Sequence, residues 1–150
     1  MKAVNLRSFV HSQHPITLDL FGYEPDASGQ CFWGGWWPEG MPREQGRLLR
    51  FQPFEIVSQV HPWGRHWTVK DPEALLLQLY GPGWRIPDAD FDATLETPAL
   101  VAFNAYTRAW CALRLLEAWV QGHGQRVKRR LSTLATFDPN DTVVQAFAPK

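Results

Sequence analysis

The stretch VKDPEALLLQLYGPGWRIPDADFD, residues 69–92, predicts a short helix that ends at a sharp corner. Asp71 can cap the free N–H groups, Pro72 suits the first helical position, and Glu73 complements the positive end of the helix dipole. Gly81-Pro82-Gly83 cannot continue a helix, so the prediction is a helix over 71–80. The buried stripe of this helix is predicted to pack on a sheet and to comprise Leu75, Leu76 and Leu79.

The corner after this helix carries Trp84, Arg85 and three alternating aspartates, Asp88, Asp90 and Asp92. Alternating carboxylates can surround a cation, but these lack the glycine and the distal glutamate of an EF-hand loop, and aspartate is common in turns. We therefore interpret the corner chiefly as a structural joint. Trp84 and Arg85 are predicted to lock the corner against the helix, and substrate binding is their alternative role.

Upstream of the helix, the sequence predicts a small, mostly antiparallel sheet of three to five strands within residues 3–69. Segments 3–10 and 15–23 alternate apolar and polar residues around a polar turn, which indicates a hairpin. The segment GQCFWGGWW at 29–37 suits a glycine-bulged third strand or a loop pressed against a neighbour. Two further strands are predicted between residues 47 and 70.

Downstream, from about residue 98, the apolar period becomes helical, and glycines at 122 and 124 divide the pattern. We predict a helical hairpin over about 98–136, then a stop at DPND (138–141) with a fresh helix start at Asp141. The basic run RVKRR at 126–130 is predicted to be a solvated face. The main apolar stripe comprises Phe103, Tyr106, Trp110, Leu113 and Val120. A second face, suited to close helix contact, comprises Ala102, Ala105, Ala109 and Ala112, and the second helix presents Val127, Leu131 and Leu134.

These elements predict an α+β fold, with a sheet-plus-helix region over 1–97 and a helical region over 98–150 packed on the same domain. The chain has 15 basic and 15 acidic residues, so no net charge would attract nucleic acid. No segment has the length and hydropathy of a transmembrane helix or a signal peptide. Cys31 and Cys111 cannot form a disulfide framework or a zinc site. We expect a cytoplasmic protein.

Tryptophan is the unusual component, because the 150-residue chain contains eight, five of them between Trp33 and Trp67. They must lie in an aromatic core or on an exposed stacking surface. The histidines offer no catalytic pattern: His61 and His66 flank a predicted turn and are interpreted as structural. His11 and His14, in the first hairpin turn, have no predicted nucleophile to activate.

Three segments together carry a family resemblance: TLDLFGYEPD, then LRFQPFEI, then the stretch 69–92. Over roughly residues 15–95 the chain resembles the second, C-terminal half of the LicD and fukutin-related family of nucleotidyltransferase-like phosphotransferases. The resemblance implies transfer of a phospho-alditol or phosphocholine group from a nucleotide-activated donor to a surface glycan. It implies Mg²⁺ as cofactor, and Asp19 is the matching position for a metal-binding, catalytic carboxylate.

The resemblance also implies what this half would lack. In the family, an Asp-x-Asp pair and a glycine-rich turn precede the region that this chain matches, and residues 1–14 contain no acid. We therefore expect a partial transferase module, inactive alone, that needs a missing-half polypeptide. Its first hairpin, 3–21, would expose Val4, Leu6, Phe9 or Ile16 and promote self-association.

The alternative hypothesis is a non-catalytic module that binds carbohydrate or protein through exposed tryptophans. A carboxylate cluster around Asp19 would favour the transferase. An open groove without such a cluster would favour the binding module, with a lining drawn from Trp33, Trp36, Trp37, Trp63 and Trp67.

Overall fold

The computed structural model describes residues 3–4 and 6–147, and for residues 3, 4, 6, 7 and 19 it describes the backbone alone. The fold is α+β, as predicted, with small antiparallel sheets and helices. The chain divides into two compact units after Val101. The first contains the strands, a short 3-10 helix (Arg43–Gln45) and one α-helix, and the second is helical.

The largest sheet of the first unit is built around β5 (Phe32–Pro38), which confirms the strand predicted over the tryptophan-rich segment. Strands β1 (Ala3–Val4) and β4 (Glu24–Pro25) pair with β5, and so does β6 (Arg47–Phe51). All of these pairings are antiparallel.

A glycine permits the close pairing of β5 with β6. Gly35 has a φ of 109°, and a Cβ atom built on it would lie 2.0 Å from the carbonyl oxygen of Arg47. No other residue type fits this position without moving the backbone, because L side chains rarely adopt that φ and the neighbouring strand occupies the space.

The core of this unit is centred on Leu49, Phe51 and Ala99. Ala99 reaches β6 through an extended segment after the corner: the Arg50 N–H donates to the Ala99 carbonyl at 2.9 Å. Around these three residues pack the half-buried side chains Phe32, Phe54, Leu75, Leu79 and Leu100.

Helix α1 (Pro72–Tyr80) confirms the predicted helix and its signals. The Asp71 carboxylate accepts a hydrogen bond from the Ala74 N–H at 3.0 Å, and Gly81 ends the helix with a φ of 77°. Two leucines of the predicted stripe, Leu75 and Leu79, pack on the core. The helix thus holds its place through the stripe that the sequence indicates.

Two hairpins form sheets separate from the main sheet, whereas the sequence predicted that all strands belong to one sheet. They are β2 (Leu6–Val10) with β3 (Thr17–Phe21), and β7 (Ile56–His61) with β8 (Gly64–Val69). Each forms its own two-stranded sheet. The reason is that the predicted strand over residues 3–10 divides: its start pairs with β5, and its remainder pairs with β3.

The second unit comprises α2 (Ala105–Val120), α3 (Gly124–Phe137) and a short α4 (Thr142–Phe147). The helical hairpin is confirmed, although α2 begins later than predicted, at a capping box formed by Asn104 and Thr107. Asp141 confirms the fresh start: its carboxylate accepts from the Val143 N–H at 2.8 Å and pairs with Arg108.

The predicted apolar stripe of α2 is only partly covered: Phe103, Tyr106 and Trp110 are half-buried. Leu113 and Val120 are exposed, and so are Ala105 and Ala109 of the alanine face. Apolar residues occupy several sides of this helix, so a helical period alone does not select the buried side. Small side chains do line the real contact, where the Cys111 Sγ lies 3.7 Å from the Arg130 carbonyl. The buried residues are Thr107, Cys111, Leu115 and Ala118.

The basic run of α3 is likewise not a uniformly solvated face. Arg130 is buried, Arg126 and Arg129 are half-buried, and Lys128 is exposed. Arg130 lies four residues before the buried Leu134, on the same side of the helix, so its aliphatic stem packs in the stripe. Val127 and Leu131 are half-buried beside it, as predicted.

Candidate functional site

Two of the three aspartates of the corner after α1 bind backbone groups through their carboxylates. An Asp88 carboxylate oxygen accepts from the Asp90 N–H at 2.9 Å, and Asp92 accepts from the Thr94 N–H at 2.9 Å. Both contacts order tight turns. Within residues 3–4 and 6–147, no group of three or more His, Cys, Asp or Glu side chains is arranged to hold a metal ion. The contacts agree with a structural joint.

Trp84 and Arg85 connect the corner to α1. The Arg85 guanidinium lies 2.6 Å from the Glu73 carboxylate, and its carbon lies 4.4 Å from the centre of the Trp84 ring. Glu73 is in the first turn of α1, so this contact joins the two ends of the stretch that predicted the helix. Substrate binding by these two residues stays a prediction.

Asp19 lies in β3, opposite Ser8 of β2. Its side chain is outside the described part of the structure, so a metal-binding or catalytic role for it stays a prediction. In the turn of the same hairpin, His11 Nδ1 accepts from the backbone N–H groups of Gln13 and His14 at 3.1 and 3.2 Å. This histidine therefore orders the turn.

The tryptophans separate into two classes by exposure. On β5, Trp37 is 8% exposed, while Trp33 and Trp36 are half-buried and lie beside arginine side chains. On the β7–β8 hairpin, Trp63 is 81% exposed and Trp67 is 69% exposed. The second class is available to a ligand, and the first class belongs mainly to the sheet.

Trp63 is held in place by a stack of rings. His61 pairs with Gly64, so Pro62 and Trp63 form a two-residue turn. The Trp63 ring lies nearly parallel to the His61 ring, at 13° and 4.7 Å between centres. The His61 ring in turn stacks on His66 at 4.5 Å and 27°. Both histidines thus support the exposed indole from below.

The two tryptophans of this hairpin belong to opposite faces. Residues directly across an antiparallel pair share a face, and successive residues alternate. Gln59 is opposite His66, so this amide lies on the face of the ring stack. Ser58 is opposite Trp67, so that indole lies on the other face. One face therefore combines a flat ring with imidazole and amide groups.

His61 and His66 were predicted to be structural, and their support of Trp63 was not predicted. The register of the β7–β8 hairpin is the feature that would have indicated this support. Once Pro62 and Trp63 are taken as the turn, His61 and His66 lie close across the strands, with the turn tryptophan beside them. Sequence spacing alone does not fix that register, because shifting it by one residue exchanges the faces.

Comparison of this chain with protein-family models, curated proteins and solved structures gave no match. The LicD-like resemblance therefore stays a prediction. In the residues that the structure describes, none of the helices has the length and apolar content needed to cross a bilayer.

Proposed function

We propose that this protein is a binding module that binds carbohydrate on the β7–β8 hairpin. The observation that carries the proposal is Trp63: its indole is 81% exposed, and its ring is stacked on His61. One face of the indole is backed by protein. The other is open to a ligand.

The chemistry of this face suits a sugar ring. A pyranose presents an apolar C–H face, which packs on a flat indole, and a rim of hydroxyls, which need hydrogen-bond partners. His61 and His66 supply ring nitrogens within the stack, and Gln59 supplies an amide on the same face of the hairpin. A few polar groups together with an apolar platform give a site its specificity. The stack also restrains the Trp63 ring before binding, which reduces the side-chain entropy lost on association.

A LicD-like transferase module is the second candidate function. Its support is the order of the elements. The resemblance implies a strand with the aspartate, then a short sheet segment, a helix and a tryptophan corner, and here β3 with Asp19 precedes the other strands, α1 and the Trp84 corner. This candidate adds Mg²⁺ and a nucleotide-activated donor, and it too has a glycan as acceptor. A cytoplasmic location stays a prediction under either candidate.

Screening the full chain against immobilised glycans, followed by calorimetric titration of the best ligand, tests the first candidate. We expect Trp63→Ala to weaken binding at least tenfold, about 1.4 kcal/mol. Trp119→Ala is the matched control, because this tryptophan is also well exposed but lies on α2. The control should leave the affinity unchanged. Equal losses in both variants, or no glycan binding by the natural protein, would contradict the proposal.

Titration with magnesium and a cytidine nucleotide separates the second candidate from the first. We expect weak binding or none, because one carboxylate cannot hold the two metal ions that would neutralise a donor phosphate. Low-micromolar affinity that Asp19→Ala abolishes would favour the transferase.

A further inference from the structure

The face of the β7–β8 hairpin that carries Trp67 is an exposed surface of its own. Ser58 lies directly opposite Trp67, and alternation along the strands puts Val60 and Arg65, which are opposite each other, on the same face. Trp67 is 69% exposed and Val60 is 73% exposed. Ser58 and Arg65 are exposed beside them. This face therefore combines an open indole with a hydroxyl and a guanidinium.

The charge of Arg65 is not neutralised by the hairpin. Between residues 56 and 69 the sequence contains no aspartate or glutamate. The acids at the two ends of the hairpin are engaged elsewhere, because Glu55 pairs with Lys70 at 2.7 Å and Asp71 caps α1. In the part of the chain that the structure describes, the Arg65 side chain has no hydrogen-bond or ion-pair partner. This face thus offers one positive charge beside an open aromatic ring.

We propose that this face is a second glycan subsite, selective for a sugar that carries a carboxylate, an assignment that rests on the proposed function of the hairpin. The sugar ring stacks its C–H face on Trp67. Arg65 binds the carboxylate with two parallel N–H···O bonds, the geometry in which a guanidinium recognises a carboxylate best. The Ser58 hydroxyl, which both donates and accepts, hydrogen-bonds a hydroxyl of the ring.

The spacing of the two side chains fits a uronic acid. The carboxylate of such a sugar lies at the edge of the pyranose ring, so it projects sideways when the ring stacks flat on an indole. Arg65 is two residues from Trp67 on β8, about 7 Å along the strand, and points to the same side. The face of Trp63 has neither lysine nor arginine between residues 56 and 69. Preference for an acidic sugar therefore belongs to the Trp67 face alone.

One guanidinium without a partner matches one carboxylate better than it matches a nucleic acid. Nucleic acids are held by several lysine or arginine contacts to successive phosphates, together with stacking of the bases. The unit that carries the hairpin, residues 1–101, has eight basic and twelve acidic residues, so its field repels a polyanion. A sugar with a single carboxylate meets the local positive charge of Arg65 and little of that repulsion.

Nitrogen-15 NMR of the full chain tests each face separately, because every tryptophan indole N–H gives its own signal. The signals of Trp63 and Trp67 are assigned by their absence from Trp63→Ala and Trp67→Ala. The probes are the methyl glycosides of glucuronic and galacturonic acid, each beside its neutral counterpart, methyl glucoside or methyl galactoside. We expect the acidic sugars to titrate the Trp67 signal about three- to tenfold more tightly than the neutral ones at low ionic strength. Added salt should reduce this difference.

Arg65→Gln tests the role of the guanidinium. Glutamine keeps a polar side chain but removes the charge, so acidic and neutral sugars should titrate the Trp67 signal alike, while the indole signal of the other face keeps its response. Arg43→Gln is the matched control. The Arg43 guanidinium carbon also lies near a tryptophan, 5.5 Å from the centre of the Trp33 ring, but its charge is paired with Glu44 at 2.9 Å. This control should keep the preference for acidic sugars. Both arginines are exposed, so both variants should keep the natural circular dichroism spectrum.

Three results would overturn the second subsite. They are a Trp67 signal that the acidic sugars do not move, a preference for acidic sugars that survives Arg65→Gln, and tighter titration of the Trp67 signal by thymidine 5′-monophosphate, which would identify a nucleotide as the ligand. If the Trp63 signal responds to sugar and the Trp67 signal does not, the proposed function stands and the second subsite does not. If neither signal responds to any sugar, both fail.

Discussion

Strand β5 and the β7–β8 hairpin are both rich in tryptophan, and they use it differently. Trp37 of β5 is 8% exposed, whereas Trp67 of β8 is 69% exposed. Strand β5 pairs with β1, β4 and β6, and because Phe32 and Trp33 pair with both β4 and β6, it is covered on both edges. The hairpin has two strands and little to cover its faces. The same residue type therefore serves packing in one region and is available for recognition in the other.

The difference also appears in what lies beside each ring. The Trp36 ring on β5 has the Arg47 guanidinium carbon 4.1 Å from its centre, and Arg47 itself is buried and donates to the Thr94 carbonyl at 2.8 Å. The Trp63 ring has His61 on one face. A guanidinium fixed by backbone carbonyls ties Trp36 to the corner segment, whereas an imidazole stack leaves the indole accessible.

The largest effect that separates the two regions is expected from Trp37→Ala. Removing this buried side chain should cost about 3–5 kcal/mol in the free energy of unfolding, because it leaves a cavity in the sheet. Urea denaturation followed by circular dichroism measures the loss. Trp37→Phe, which keeps an aromatic ring, is the matched control and should lose less. If Trp37→Ala were as stable as the natural protein, the tryptophan of β5 would not contribute to packing, and the contrast with the hairpin would fail.

Sequence patterns predicted most of the fold where local chemistry is strong. The start of α1 followed from Asp71 and Pro72, and its end followed from Gly81. The strand over the tryptophans was also confirmed. The number of sheets was not predictable, because the division of the strand over residues 3–10 depends on which distant strand pairs with each part. Long-range pairing of this kind is not encoded in local alternation.

The candidate site was predictable only in part. An aromatic surface was one of two alternatives for the tryptophans, and exposure of Trp63 and Trp67 depends on how few strands surround them. In α2 the reason that the predicted stripe is only partly covered is similar: Leu115 and Leu113 both fit a helical period, and only packing in the folded unit distinguishes them.

Asp141, in the helical unit, allows the stability of a part of the molecule outside the two tryptophan regions to be tested by pH. This buried carboxylate has its pKa lowered, first by the hydrogen bond from Arg108 and then by the Val143 N–H. A carboxyl with a lower pKa in the folded state stabilises the fold above its unfolded pKa of about 3.9. That contribution is lost as the pH falls through the folded value. Acid should therefore destabilise this unit below about pH 4.

Asp141→Asn tests this dependence, since asparagine keeps the cap but removes the charge. We expect the melting temperature at neutral pH to fall by about 5 °C or more, with a shallower decline in acid. Asp71→Asn, at the exposed cap of α1, is the matched control and should change both quantities less. An unchanged acid profile for Asp141→Asn would show that the ion pair with Arg108 does not control the acid response.

The smallest effect on stability is expected from the double variant Trp63→Ala, Trp67→Ala. Both side chains are mostly exposed, so removing them leaves no internal cavity, and exposed substitutions usually change the free energy of unfolding by less than about 0.5 kcal/mol. Removing Trp63 also removes its ring stack on His61. Urea denaturation should therefore superimpose on that of the natural protein, while glycan binding is lost. A destabilisation as large as that of Trp37→Ala would mean that these indoles are part of the packing, and the hairpin would then belong to the same class as β5.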